Sequence, residues 1–186
     1  MRRIERILHE TRPSPLGKLF LAEGEVGEKE RVPLAVLFLG PSGSAVSAVA
    51  GTRDPLNYLR RRYPRVPLAP GVCADLRHRL DRYFARRAWV LTNVPAEVAG
   101  TEFQRSVWRK IAKIPMGRTV TYGEIAASLG KKGAARGVGQ ATGRNPLSIV
   151  VPCHRVLGAR GKITGYGGGI GRKEWLLRWE KVSEEE

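Results

Sequence analysis

The sequence predicts an α+β protein with two domains, a small sheet-and-helix domain at residues 1–95 and a mostly helical domain at residues 96–186. Residues 15–50 contain short apolar runs separated by glycine and proline, a pattern typical of strands joined by turns. Beyond residue 100, apolar residues recur at helical spacing. A chain of 186 residues is long enough for two small cores.

The first half is predicted to begin with strands. They are Leu16–Ala22, Val32–Leu39 and Ala45–Val49. Two helices and a strand-like run are predicted next, at Asp54–Tyr63, Val72–Arg87 and Trp89–Val94. Asp54 followed by Pro55 is a typical helix start, with an N-cap and a proline in the first turn. Because no cluster of reactive residues occurs here, we interpret this half as a scaffold.

The second half is predicted to contain a helix-turn-helix. Thr101 is a good N-cap for a helix with an apolar stripe, which consists of Phe103, Val107, Trp108, Ile111 and Ile114. Thr121 then caps a helix over Tyr122–Leu129, Gly130 ends it, and another helix begins near Gly133. A buried strand is predicted at Leu147–Val151.

The charge of the chain points to a polyanionic partner. There are 33 Lys and Arg residues against 17 Asp and Glu, a net charge of +16. Residues 105–160 hold eleven basic residues and one acidic residue, Glu124. The basic residues are Arg105, Arg109, Lys110, Lys113, Arg118, Lys131, Lys132, Arg136, Arg144, Arg155 and Arg160. This one-sided distribution predicts a surface that faces phosphates rather than a salt-bridged surface.

The second helix of the helix-turn-helix is rich in small residues. Glycine in a helix interior costs about 1 kcal/mol relative to alanine, so Gly137 and Gly139 need an explanation. Close packing against another helix is one explanation, and close approach to a nucleic-acid groove is the other. The long charged Arg136 among these residues favours the nucleic acid.

The bulk composition excludes other classes of protein. No apolar stretch is long enough to span a membrane and no secretory signal is present, so we expect a cytoplasmic protein. The cysteines are Cys73 and Cys153, too few for a disulfide framework. Cys73 with His9 and His78 is too small a set for a four-ligand zinc site, so no metal is expected.

Cys153 lies between Pro152 and the pair His154 and Arg155. The thiolate is the nucleophilic form of cysteine, and neighbouring cations or a histidine lower its pKa. The residue types therefore suit an activated sulfur, although a small core cysteine beside an incidental histidine is the simpler interpretation of such a pair. Adjacent side chains in regular structure do not face each other, so contact needs an irregular backbone or a bridging water.

Residues 152–156, Pro-Cys-His-Arg-Val, resemble the active-site signature of the O6-alkylguanine-DNA alkyltransferases. The similarity covers almost all of residues 100–180 in order. Its further motifs are Thr101–Gln104 with Val107–Trp108, Ile114–Pro115 with Gly117, Thr121–Gly123, Ala134–Arg136, Asn145–Pro146, Gly165–Gly169, and Lys173–Leu177 with Glu180. Residues 1–95 match the family only in length and in their strand-then-helix layout.

The resemblance implies catalytic roles. Cys153 would attack the alkyl carbon, with guanine as the leaving group. His154 would take the thiol proton through a water molecule, and Glu180 would orient His154. Asn145 would support the site by hydrogen bonding, and a turn role before Pro146 is equally compatible.

The resemblance also implies a flipped nucleotide, because a stacked base cannot present its O6 substituent to a buried sulfur. Arg136 would fill the vacated stack, and Tyr122 would rotate the nucleotide and then donate to the leaving guanine. The groups holding the base would be the Tyr166 hydroxyl, the Gly167 N–H and the carbonyls of Cys153 and Val156. The DNA-contacting residues would be Tyr122, Ala134, Ala135, Arg136 and Gly137. Some family members have serine in place of Gly167, which changes little because the backbone N–H is the donor.

The implied activity is single-use repair of O6-alkylguanine, and of O4-alkylthymine, in double-stranded DNA by a monomer without a cofactor. Two alternatives stay open. One is a non-catalytic helix-turn-helix lesion sensor, although the family's inactive relatives lack the cysteine that this chain retains. The other is a cysteine hydrolase that uses Cys153 and His154, which would need an oxyanion hole and a distant base.

Overall fold

The computed structural model describes residues 3–27, 30–43, 45–46, 52–86, 95 and 97–181. The chain forms two compact units. One comprises Met1–Val90, Pro95–Ala99 and Pro146–Ser148, and the other comprises Leu91–Val94, Gly100–Asn145 and Ile149–Glu186. The predicted α+β class is confirmed, since the first unit holds a sheet with two helices and the second is mostly helical. The predicted boundary between residues 95 and 96 stays a prediction.

The first unit contains a four-stranded sheet in the order β3-β2-β1-β4. The strands are β1 (Arg6–Arg12), β2 (Leu19–Val26), β3 (Glu30–Phe38) and β4 (Leu68–Pro70). The first three pair antiparallel, and β4 pairs parallel to β1. A register shift between Ala22 and Glu23 lets Pro33 enter β3 opposite Glu23.

In this sheet, β2 and β3 confirm two predicted strands with shifted ends, whereas β1 and β4 were not predicted. The apolar runs of β2 and β3 are almost wholly buried. In contrast, β1 carries His9, Glu10 and Thr11, and β4 has three residues, so neither shows a clear apolar period. Of the predicted strand at Ala45–Val49, Ala45 bridges Leu39, while residues 47–49 lie outside the described residues, as do residues 87–94.

Two helices pack on opposite faces of this sheet. Helix α1 (Pro55–Arg62) begins as predicted, with the Asp54 carboxylate accepting from the Leu56 and Asn57 N–H groups. Its Tyr58 and Leu59 join an apolar cluster with Ile7 of β1. Helix α2 (Ala74–Phe84) lies on the other face, because Cys73 and Leu76 bond to Leu8, Glu10 and Glu23.

The second unit begins with the predicted N-cap. In helix α3 (Glu102–Ile111), Thr101 and Gln104 form a reciprocal capping box. The predicted apolar stripe is confirmed, since Val107, Trp108, Ile111 and Ile114 are buried and Phe103 is half-buried. The indole Nε1 of Trp108 donates to the Ala141 carbonyl at 2.9 Å, which ties α3 to a later helix.

The predicted helix-turn-helix is confirmed. Helix α4 (Tyr122–Ser128) has a second capping box between Thr121 and Glu124, and Gly130 follows it in the left-handed region at φ +69°. Helix α5 (Ala135–Gly143) starts after the non-helical Ala134. The pair of helices packs together through Ile125, Ala126, Val138 and Ala141, which are all buried.

The remaining elements surround the cysteine. A single 3₁₀ turn covers Cys153–Arg155, and β6 (Val156–Leu157) follows it and pairs parallel with β5 (Val120–Thr121). A second 3₁₀ turn covers Ala159–Gly161, and helix α6 spans Ile170–Lys181. Within the described part of the chain, no helix is long and apolar enough to cross a membrane. No group of three potential metal ligands occurs among the described residues.

Candidate active site

The backbone before the cysteine is not the strand that the sequence predicts. Residues 147–151 form turns, Leu147 makes one isolated bridge to Val36, and Ile149 has a left-handed φ of 70°. The run is apolar and mostly buried, as expected for a buried strand. Its residues are buried by packing, however, and apart from the single bridge they form no strand hydrogen bonds. The Cys153 N–H bonds back to the Val151 carbonyl at 2.7 Å, which turns the chain sharply into the 3₁₀ turn.

Asn145 holds the sulfur of Cys153. Its Nδ2 donates to the Val151 carbonyl at 2.9 Å and lies 3.2 Å from Cys153 Sγ. Both side chains are buried, and Cys153 is 6% exposed. Burial raises the pKa of the Cys153 thiol, while Asn145, Lys173 and Tyr166 lower it by hydrogen bonding or charge. The resting group is therefore a thiol with polar neighbours that stabilise the thiolate once its proton leaves.

His154 and Glu180 form a buried pair, as the resemblance implies. His154 Nε2 lies 2.8 Å from Glu180 Oε1. Burial lowers the pKa of His154 and keeps its ring neutral, although Glu180 opposes this shift. Burial also disfavours ionisation of Glu180, but the hydrogen bonds from His154 and Arg155 and the charge of Arg155 prevail and lower its pKa to about 2.

These protonation states determine the tautomer of His154. An ionised carboxylate only accepts hydrogen bonds, so the Nε2 of the neutral ring carries the proton and donates it to Glu180. The lone pair is then on Nδ1, which is buried and has no hydrogen-bond partner among the described residues. His154 is therefore prepared to accept a proton at Nδ1.

Arg155 differs from its predicted place on a phosphate-facing surface. It is fully buried, and its guanidinium binds both oxygens of Glu180 at 2.7 Å and the Ile114 carbonyl. The bidentate ion pair and the bond to the Ile114 carbonyl offset part of the cost of burying this charge. The other basic residues of the segment 105–160 are exposed, except for the half-buried Arg105.

Lys173 is a site residue to which sequence reasoning assigned no role. Its side chain is fully buried, and its Nζ donates to the Val156 carbonyl at 2.7 Å and to the Thr164 carbonyl at 3.2 Å. Burial lowers the pKa of Lys173, and the charge of a Cys153 thiolate raises it. Its place in the family motif Lys173–Leu177 was the available signal, but its partners are backbone carbonyls that no spacing reveals.

The predicted substrate-binding residues lie around this centre. Val156 follows the 3₁₀ turn that contains Cys153. Tyr166 is half-buried, and its phenol lowers the pKa of Cys153 by hydrogen bonding. Gly167 is half-buried, and the Gly169 N–H donates to the Tyr166 carbonyl at 2.9 Å to close the turn. Gly169 has a φ of +91°, which favours glycine at this position.

The predicted DNA-contacting residues form a second group on the helix-turn-helix. Tyr122 is half-buried at the start of α4, and Arg136 is exposed in the first turn of α5. Ala134, Ala135 and Gly137 are half-buried beside it.

Packing within the chain does not require the two glycines of α5. A Cβ at Gly137 would lie 3.6 Å from the Phe103 ring, and one at Gly139 would lie 3.9 Å from the Tyr122 ring. Both are ordinary contact distances. This weakens the close-packing explanation and favours a constraint from a partner molecule.

Comparison with known proteins agrees with this geometry. Residues 102–182 match the family model described as "6-O-methylguanine DNA methyltransferase, DNA binding domain". The methylated-DNA–protein-cysteine methyltransferase of Shigella flexneri is 48% identical over 126 residues, which are 67% of this chain and 72% of that protein.

Solved structures extend the similarity over both units. The Mycobacterium tuberculosis O6-methylguanine methyltransferase superposes with a TM-score of 0.71 at 39% identity, covering 95% of this chain and 94% of that one. A structure described as Mycobacterium tuberculosis OGT in complex with DNA matches with the same TM-score of 0.71, at 38% identity and with the same coverage of 95% and 94%.

A buried cysteine with a histidine–glutamate pair, next to a basic helix-turn-helix, defines a DNA-acting protein with a nucleophilic thiol. The chain belongs to the methylated-DNA–protein-cysteine methyltransferase family, the O6-alkylguanine-DNA alkyltransferases. The resemblance that rested on residues 100–180 is thereby confirmed.

Proposed function

We propose that Cys153 accepts the alkyl group from O6-alkylguanine in duplex DNA and is consumed in doing so. Family membership makes the protein an O6-methylguanine DNA methyltransferase, which repairs DNA by direct reversal and binds DNA. The observation that carries the assignment to Cys153 is its contact with Asn145 Nδ2 at 3.2 Å, beside a neutral histidine with a free Nδ1 lone pair.

The transfer is a displacement at the alkyl carbon. His154 accepts the Cys153 proton at Nδ1 through one water molecule, and the sulfur forms a bond to the alkyl carbon as the bond from that carbon to O6 breaks. The electron pair of the broken bond stays on guanine, which takes up a proton from water, and His154 returns the thiol proton to water, so that no net proton is gained or lost. Glu180, ionised and held by Arg155, stabilises the charged histidine. The product is a thioether, and no group in this site removes it.

We further propose that the base is held by residues around the sulfur. The Tyr166 hydroxyl and the Gly167 N–H bind O6, and the carbonyls of Cys153 and Val156 accept the exocyclic amine. The Val156 carbonyl already accepts from Lys173 Nζ at 2.7 Å, but a carbonyl has a second lone pair. Tyr122 donates to the guanine as negative charge develops on it.

The helix-turn-helix is proposed to extract this base from the duplex. Arg136 is exposed and enters the space that the flipped base leaves, while Ala134, Ala135 and Gly137 permit close approach of α5 to the groove. The space around Gly137 and Gly139 supports this role, because a Cβ added at either position would meet only ordinary contacts within the protein.

Mass spectrometry of the protein after reaction with duplex DNA containing O6-methylguanine tests the proposal. We expect one methyl group per protein, on the peptide that contains Cys153, and no further transfer with excess DNA. Cys153→Ser should abolish transfer, whereas Cys73→Ser, which removes the other buried cysteine, should leave it intact. Repeated turnover, or methylation elsewhere, contradicts the assignment.

The same assay separates the alternatives. A lesion sensor would bind the modified duplex and leave the methyl group on the DNA. A cysteine hydrolase would also leave the methyl group on the DNA but would not bind the modified duplex selectively, because an oxyanion hole serves acyl substrates and not a methyl ether. Action on O4-alkylthymine, a monomeric state, the absence of a metal or cofactor and a cytoplasmic location stay predictions.

A further inference from the structure

Helix α1 of the first unit carries a dense group of exposed arginines. This group, the α1 arginine surface, consists of Arg53, Arg60, Arg61, Arg62 and Arg65. By helical spacing, Arg60 and Arg61 share a face with Asn57, and Arg60 Nη1 lies 3.5 Å from Asn57 Oδ1. The only acidic residue between positions 52 and 67 is Asp54.

Asp54 does not neutralise these arginines. Its Oδ1 accepts from the Leu56 and Asn57 N–H groups at 2.8 and 3.2 Å and so serves as the helix cap. Arg53, Arg60, Arg62 and Arg65 form no ion pair with any carboxylate in the described part of the chain.

Five other arginines of the same unit have carboxylate partners. The ion pairs are Arg6–Glu25 at 2.5 Å, Arg12–Asp81 at 2.6 Å, Arg31–Glu25 at 2.8 Å, Arg79–Asp75 at 2.7 Å, and Arg77–Glu10. These arginines are ion-paired, whereas Arg53, Arg60, Arg62 and Arg65 are not, within the described part of the chain. A solvated surface of paired charges would not show this difference.

Helix stability explains only part of the group. Cations in the last turn of a helix interact favourably with its dipole, which accounts for a basic residue among Arg60–Arg62. Arg53 precedes the N-terminus of α1, where a positive charge is unfavourable, and Arg65 lies beyond the helix. An external anion explains Arg53, Arg60, Arg62 and Arg65 together.

We propose that the α1 arginine surface binds the phosphate backbone of double-stranded DNA, as a contact additional to the helix-turn-helix. Helix α1 has eight residues and is about 12 Å long, and a duplex carries one charge per about 1.7 Å of its axis. Arginine suits this partner because its planar fork binds phosphate oxygens in pairs. The aromatic residues of this stretch, Tyr58 and Tyr63, are buried, so the contact is to the DNA backbone and independent of base sequence.

The test is the salt dependence of binding to an unmodified duplex several helical turns long. The variant R60Q/R62Q/R65Q is compared with R6Q/R77Q/R79Q, which loses the same charge from ion-paired arginines of the same unit. Each lost phosphate contact makes the slope of log K against log salt less steep by about 0.9. We expect the first variant to lose about 2 to 3 from the slope and the control to keep the wild-type slope. Equal slopes for the two variants overturn the proposal.

A lysine version, R60K/R62K/R65K, separates charge from folding. Lysine still binds phosphate as a point charge, so this variant should bind DNA with nearly the wild-type slope. If it loses binding as the glutamine variant does, the arginines serve packing and the proposal is wrong. The binding measurement needs no alkyl transfer, so its outcome is distinct from that of the assay on Cys153.

Discussion

At the scale of single residues, Glu180 connects the two basic side chains that follow Cys153. Its Oε1 accepts from both His154 and Arg155, and its Oε2 accepts from Arg155. Arg155 therefore keeps Glu180 ionised, and Glu180 sets the tautomer of His154. The arginine next to the reactive pair acts on the site through the carboxylate and not by direct contact with DNA.

Among the residues around Cys153, Lys173 is the one whose substitution should most clearly change the pKa of the Cys153 thiol. In Lys173→Met a buried positive charge near Cys153 is lost, together with the bonds to the Val156 and Thr164 carbonyls. Because that charge lowers the pKa of Cys153, we expect the variant to react with iodoacetamide only at higher pH. We also expect alkyl transfer at pH 7 to be slower, on the order of tenfold.

The pH profile of iodoacetamide labelling checks this prediction, with Lys162→Met as a control because Lys162 is exposed in the same unit. A profile unchanged from wild type would mean that Lys173 has only a structural role.

At the scale of elements, α5 contains glycines that reduce the stability of the helix but suit its proposed close approach to DNA. Its glycines weaken the helix, yet the contacts of a Cβ at Gly139 show that alanine fits within the protein. We predict that Gly139→Ala raises the free energy of unfolding by about 0.5–1 kcal/mol and slows repair of O6-methylguanine in duplex DNA.

Chemical denaturation measures the first effect, and transfer rates from the duplex and from the free modified base measure the second. The rate with the free base should stay at the wild-type value, since the reactive turn is unchanged. If the variant transfers the methyl group from each substrate at the wild-type rate, α5 does not need glycine at this position.

Helix α2 has an unusual cap. The side chain of its N-cap residue, Cys73, makes no capping bond, and the Leu76 N–H instead donates to Glu23 of β2. Glu23 is fully buried, and its other oxygen has no partner among the described residues. Burial and the nearby Asp75 and Glu10 raise its pKa to about 7, while the bond from Leu76 and the charge of Arg31 lower it.

This carboxyl makes the stability of the first unit depend on pH. The folded-state pKa is above the ordinary value of 4.5, so the folded state binds the proton more tightly, and stability is lost as pH rises from about 4.5 to 7. Glu23→Gln stays neutral and keeps an acceptor for Leu76. We expect it to be more stable than wild type by about 1–3 kcal/mol at pH 8 and similar at pH 4.5.

Urea denaturation at the two pH values checks the difference. Glu5→Gln, at an exposed position in the same unit, controls for the loss of one negative charge. An identical gain at both pH values would contradict the assignment of the effect to ionisation of Glu23.

At the scale of the whole molecule, the charge of +16 is distributed unevenly. The segment 105–160 exposes basic residues with Glu124 as its one acid, and Glu124 is occupied by the capping box with Thr121. In the first unit, Arg6, Arg12 and Arg79 form ion pairs, whereas Arg53, Arg60, Arg62 and Arg65 form none in the described part of the chain. Charge is thus concentrated on the helix-turn-helix and on α1.

The sequence alone determined the features that depend on near neighbours in the chain. Thr101, Thr121 and Asp54 cap helices with partners two or three residues away, so their spacing predicts the helix starts. The long ordered set of motifs over residues 100–180 likewise identified the family. The resemblance to the family also identified Glu180, which the spacing of residues in the sequence does not indicate.

Tertiary structure decided what depends on distant partners. β1 lacks a clear apolar period and is a strand because β2 and β4 supply hydrogen bonds on both sides. The run Leu147–Val151 has the apolar composition of a buried strand, but it forms turns that tertiary packing buries. Arg155 looked like a surface cation until Glu180, 25 positions away, placed it in the core. Buried charges are stable only with partners, and the fold determines which partners meet.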